Sequence, residues 1–125
     1  MPLYTVSTRK SLAPDIKQKV VNTITEQHCE ITEAIPEFVQ VFFSEGVPLK
    51  SKVDLHLLGS IRDGRSDEVK LKMHDAFKNA LAKIVQSEPK RIESVLSDVP
   101  ASWVMEGGEI LPEPGQEKEW LASIS

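Results

Sequence analysis

The sequence predicts a two-layer α+β domain, and three observations predict it. Two stretches each run strand, helix, strand. Both helices carry an apolar stripe on one side only, as helices lying on a sheet do. The 125 residues suffice for one such core but not for two independent ones, so one domain over 1–125 is the expectation.

In chain order, Leu3 to Ser7 is a short β-prone run, and Pro14 stands where a first helical turn tolerates proline. The helix that follows places Ile16, Val20, Ile24, His28 and Ile31 on one stripe, and Pro36 is expected to close it. Phe38 to Phe43, rich in β-branched and aromatic residues, reads as a buried strand ended by Gly46 and Pro48. A second strand-helix-strand unit covers Leu55 to Ile61, Ser66 to Ser87 and Ile92 to Leu96, with a turn through Asp63-Gly64. Ser66 is a good N-cap, and Asp67 and Glu68 put negative charge where the helix dipole favours it.

A constant shift of 53 residues carries the first stripe onto Val69, Met73, Phe77, Leu81 and Ile84 without a gap. The same shift pairs Ser7 with Ser60, Arg9 with Arg62, Lys17 with Lys70, Lys19 with Lys72, Pro36 with Pro89 and Ser44 with Ser97. An internal duplication, approximately 2–47 and 55–98, explains both. Each crossover helix makes its two strands parallel, so duplicated β-α-β units give a four-stranded sheet with both helices on one face. The other face is left open, and burying it predicts association into an oligomer. The tail, 99–125, contains a candidate helical turn at Ala101 to Met105. Loop follows through Gly107-Gly108 and Leu111-Pro112-Glu113-Pro114-Gly115, then an acidic segment bearing Trp120. It reads as a cover, with Trp103 and Trp120 as its packing residues.

Composition narrows the function. With 40% hydrophobic and 27% charged residues the chain is globular in kind, and no apolar run reaches the roughly 20 residues of a membrane span. Nineteen acidic against fifteen basic residues, net −4, leave no footprint for nucleic acid or an anionic membrane. A start without signal-peptide character and a single Cys29, read as structural, point to a reducing, cytoplasmic setting. Neither a phosphate loop nor metal-ligand spacing occurs in the sequence, so no cofactor and no metal are implied.

Met1-Pro2, His28, the run Ile61-Arg62-Asp63-Gly64-Arg65-Ser66, and Leu111-Pro112-Glu113-Pro114-Gly115 leading to Glu119-Trp120 together resemble the tautomerase superfamily. Within it they are similar to the cis-3-chloroacrylic acid dehalogenase-like subgroup. The resemblance spans nearly the whole chain. It implies a tautomerase/MIF-like fold, a homotrimer, and an amino-terminal proline at the floor of an active site. In that family the residues matching Pro2 and Glu106 are catalytic, and those matching His28, Arg62 and Arg65 bind substrate. One position departs: Val95 stands where the family tyrosine that helps the glutamate activate water is expected, and valine cannot hydrogen-bond.

The chemistry of these residues is consistent with such a site. Once Met1 is removed, Pro2 is a secondary amine without a flexible stem, able to serve as base when neutral or as general acid when charged. Arg62 and Arg65, beside a glycine turn at a helix start, suit a carboxylate. His28 on the apolar stripe faces the sheet near the strand start, where it can bind or polarise a substrate carbonyl. Glu106 is placed either to activate water or to hold Pro2. The function expected is a cofactor-independent tautomerase-type enzyme transferring a proton on a small unsaturated or 2-oxo carboxylate. The alternatives are a hydratase or dehalogenase of cis-3-haloacrylate-like acids, and a non-catalytic oligomeric binding protein of the same fold.

Overall fold

The computed structural model describes residues 1–124. Nine elements follow in order: β1 (Leu3–Thr8), α1 (Pro14–Thr32), β2 (Gln40–Glu45), β3 (Leu55–Arg62), α2 (Asp67–Ile84), β4 (Ile92–Val99), β5 (Met105–Glu106), β6 (Glu109–Ile110) and α3 (Glu117–Ile124). The first four strands form one sheet in the order β2-β1-β3-β4. Within each crossover the strands are parallel, and the two units meet at their first strands, β1 and β3, which run antiparallel.

Both long helices lie on the same face. Alternation along β1 turns Tyr4, Val6 and Thr8 inward, and along β3 Leu55, Leu57, Gly59 and Ile61. Against them pack Val20, Ile24 and His28 of α1 and Met73, Phe77 and Leu81 of α2, all buried. Ser66 caps α2 by accepting a hydrogen bond from the Val69 amide at 3.2 Å.

On the other face the register aligns Phe42, Thr5, Leu58 and Val95 across all four strands. Phe42 is 61% exposed and Val95 42%. Rows that are polar apart from Leu3 flank this one: Ser44, Ser7, His56 and Glu93 on one side, Gln40, Leu3, Ser60 and Ser97 on the other. His56 and Glu93 are themselves joined at 2.6 Å.

Several boundaries differ from those the sequence predicts. α1 ends at Thr32, not at Pro36, because Glu33 takes the left-handed conformation (φ 61°) and its amide returns to the Cys29 carbonyl. Pro36 instead opens a 3-10 turn, Pro36–Phe38, which removes Phe38 from the strand expected to contain it. β4 runs on to Val99 because β3 extends to Arg62, and the two residues pair. Gly107 and Gly108, expected as loop, both have positive φ and form the tight turn of the β5–β6 hairpin. The expected turn at Ala101 to Met105 is a 3-10 turn over Ala101–Trp103. Trp103 is 77% exposed and packs nothing down, whereas Trp120 meets Phe38 edge-on at 5.9 Å and donates to the Ile110 carbonyl at 2.8 Å.

Candidate active site

At the end of the sheet where β1 begins and β3 ends, the amino terminus, the Arg62 turn, the last turns of α1 and the tail converge. Strand pairing fixes Pro2, whose carbonyl accepts from the Gln40 amide at 3.0 Å. Ahead of it, the Met1 ammonium pairs with the Glu106 carboxylate of the hairpin. Met1 also lines a mostly apolar pocket with Ile35, Phe38, Leu111, Pro112 and Trp120, in which Arg62 and Glu117 are the charged members. Burial, reinforced by the nearby Arg62 guanidinium, pulls the Met1 amine down to about 6.

Arg62 closes β3 as a buried residue with both arms of its guanidinium engaged. One terminal nitrogen donates to the Pro112 carbonyl at 2.6 Å, the other to Glu117 Oε1 at 2.5 Å. The second Glu117 oxygen accepts from the Gly115 amide at 2.9 Å. Burial pushes the Glu117 carboxyl up, but the Arg62 hydrogen bond and charge outweigh it and hold the group below its ordinary value. Arg65, past the Gly64 turn (φ 107°), has no ion-pair partner among the described residues, and its buried Nε donates to nothing. Burial and the neighbouring Arg62 charge lower its pKa, with Glu117 opposing.

His28 is buried within the fields of Arg65, Arg62 and the amino terminus. Its Nδ1 lies 2.6 Å from the Tyr4 hydroxyl, and its Nε2 is buried with no partner. The Tyr4 hydroxyl has no other acceptor among the described residues, so it donates to Nδ1 and the ring proton sits on Nε2. Burial, then the charges of Arg65, Arg62 and the amino terminus, push the imidazole down to about 3. Burial likewise raises the Tyr4 phenol, keeping it a donor. His28 is therefore a neutral donor at physiological pH.

This has a direct check. Nitrogen-detected NMR is expected to show His28 protonated on Nε2 only, without titration from about pH 8 to about pH 4. Because folding lowers this pKa, the unfolded chain protonates first as pH falls below 6.5. The stability contributed by His28 is full above that value and drains away toward about 3, at about 1.4 kcal/mol per pH unit. An imidazole that titrates near 6.5 would refute the assignment.

All five residues singled out from the sequence thus stand around one end of the sheet, with Pro2 directly behind the Met1 amine. Val95 does not join them: it belongs to the apolar row on the open face, at the level of Leu58 rather than of Arg62. Sequence reasoning missed two members, Tyr4 and Glu117. Tyr4 left a signal, since a tyrosine alternating with Val6 on an inward strand face needs a buried hydrogen-bond partner. Glu117, one carboxylate of an acidic tail, left none. Cys29, half-buried on α1, has a thiol pushed up by burial and by Glu37, which suits an inert residue.

No protein-family model matches the sequence, and no curated protein matches it. Among solved structures, the chain is similar to the crystal structure of a member of the cis-3-chloroacrylic acid dehalogenase (cis-CaaD) family, with 25% identity and a TM-score of 0.91. That match covers 98% of this chain and 92% of the other. It is also similar to a fused 4-OT wild type asymmetric trimer (17% identity, TM-score 0.76, 86% of this chain and 94% of that one). A third similar structure is Pt0534 inactivated by 2-oxo-3-pentynoate (17% identity, TM-score 0.77, 87% and 94%). By architecture and likeness alike, the chain has the fold of the tautomerase superfamily and resembles its cis-3-chloroacrylic acid dehalogenase-like subgroup.

Proposed function

We propose that the chain, freed of Met1, is a cofactor-independent tautomerase-type enzyme of a small unsaturated or 2-oxo carboxylate, with Pro2 transferring the proton. The observation that carries this reading is the gathering of the amino terminus, a neutral histidine donor and two arginines at one end of the sheet. In keto–enol exchange the Pro2 nitrogen takes the enol hydroxyl proton and the resulting prolinium returns it to carbon, so no co-reactant is consumed. His28 Nε2–H donates to the oxygen on which negative charge develops, and Arg65 holds the carboxylate.

Glu106 pairs with the amine of Met1, one residue ahead of Pro2, which supports its holding the amino-terminal segment in register rather than activating water. With Tyr4 the single tyrosine of the sequence, and that hydroxyl committed to His28, hydration and dehalogenation lack a second group to orient water. The apolar row Phe42, Leu58 and Val95 supports a homotrimer that buries the open face. The lone thiol supports a cytoplasmic setting. Among the described residues no helix is long and apolar enough to cross a membrane.

The test uses 2-oxo-3-pentynoate, the inactivator of the similar protein Pt0534. Intact mass is expected to show loss of Met1, and then one added inactivator per chain, mapped by peptide sequencing to the Pro2 nitrogen. A retained Met1, which would make that nitrogen a non-basic amide, would sink the proposal. So would a label elsewhere with Pro2 untouched.

A further inference from the structure

The two arginines are in different electrical states, and the difference lies in the tail. Arg62 is answered in full: a carbonyl takes one arm and the Glu117 carboxylate the other. The pair is held on both sides, since Glu117 also accepts from the Gly115 amide, and both side chains are largely removed from solvent. His28 contributes no charge. What remains is Arg65, half-buried, with no ion-pair partner among the described residues and with a buried Nε–H that meets no acceptor. A guanidinium withdrawn from water without a counter-ion is costly, and an anionic ligand relieves that cost.

We propose that Glu117 is a specificity-determining residue: by neutralising Arg62 it leaves Arg65 as the one arginine of the site without an ion-pair partner, so that the site selects monocarboxylates and rejects dicarboxylates. The proposal rests on the site reading above and adds a charge rule to it. A second carboxylate on the ligand has no free cation to meet. It must either face the Glu117 carboxylate in a desolvated pocket or displace it from Arg62, losing the bonds that hold the tail. Glu117 is also at the start of α3, so the chain that covers the pocket is the chain that sets its charge.

The rule is tested with two ligands of equal length, 2-oxopentanoate and 2-oxoglutarate, which differ in a terminal methyl against a carboxylate. Calorimetric binding to wild type is expected to favour 2-oxopentanoate by at least about tenfold. Glu117→Gln keeps an oxygen for Arg62 while removing the charge. It is expected to tighten 2-oxoglutarate about tenfold and to change 2-oxopentanoate less than about threefold. Glu117→Ala, checked by circular dichroism for an intact fold, is expected to move the ratio the same way. Two bound ligands with an unchanged ratio in both variants would overturn the charge rule and leave the proton-transfer reading standing. Equal weakening of both ligands would overturn it too, because Glu117 would then be only a brace for the tail. If wild type binds neither acid, the rule and the carboxylate site fall together.

Discussion

In the Met-free protein, Pro2→Ala is expected to lower kcat/KM for ketonisation of phenylenolpyruvate by about 10²-fold or more, the range in which a positioned general base contributes. Alanine still offers an amine, so the expected loss comes from position. The pyrrolidine ring locks φ and leaves the nitrogen no rotation of its own, while the strand bond from the Gln40 amide holds the residue from behind. A primary amine at the same place turns freely and samples the reacting geometry only part of the time. The pH profile adds a second signature. Burial and Arg62 lower the Met1 amine to about 6, and the same two causes act downward on a Pro2 amine in the same field. A base acts when neutral, so kcat/KM should rise with pH to a plateau. Turnover unchanged in Pro2→Ala would refute the mechanism.

Gly59→Ala is expected to cost about 1–3 kcal/mol, the usual range for overfilling a packed core, and to disturb the site from a distance. A Cβ at Gly59 would stand 2.5 Å from Tyr4 Cε1 and 2.8 Å from Leu96 Cδ2, well inside contact distance. The Tyr4 ring has nowhere to retreat. It is fully buried, edge-on to Phe77 at 5.3 Å and to His28 at 5.6 Å, and its hydroxyl is tied to His28 Nδ1. Displacing it loosens the bond that fixes the histidine tautomer. Denaturant unfolding should therefore show a lowered midpoint, and the His28 NMR signals should shift or split. A variant with the wild-type midpoint and an unmoved His28 spectrum would show that the ring yields without cost.

Much of this was legible in the residues themselves. The paired stripes from Ile16 to Ile31 and from Val69 to Ile84 placed both helices, because a helix on a sheet must repeat its apolar positions at the helical period. Pro2, His28, Arg62, Arg65 and Glu106 were singled out through the resemblance of their motifs to the tautomerase superfamily, with which their position and chemical type are consistent. Partnership was not legible. That Arg62 faces Glu117, 55 positions further on, depends on how the intervening chain returns to β3, and no local pattern encodes that return. Helix ends were misplaced for a related reason: Glu33 adopts a conformation normally left to glycine or asparagine, so the true stop at Thr32 carries no residue signature. The hairpin was legible only as a glycine pair, since β5 and β6 are two residues each and too short to show alternation.

The antiparallel meeting of β1 and β3 has a consequence for how the molecule uses its two ends. Each strand is followed or closed by an arginine, Arg9 just past β1 and Arg62 at the end of β3, and the opposed directions send them to opposite poles of the sheet. At its pole Arg9 donates to the Leu49 and Lys50 carbonyls and lies 3.7 Å from Asp54, which Arg91 and Ser87 also bind. That pole is a knot in which one carboxylate gathers two arginines and a serine, binding the linker between the halves. At the other pole Arg62 ties down the tail in the same manner, but there a second arginine is left over. An arginine left without a carboxylate partner distinguishes a mouth from a seam in a framework whose two ends are otherwise built alike.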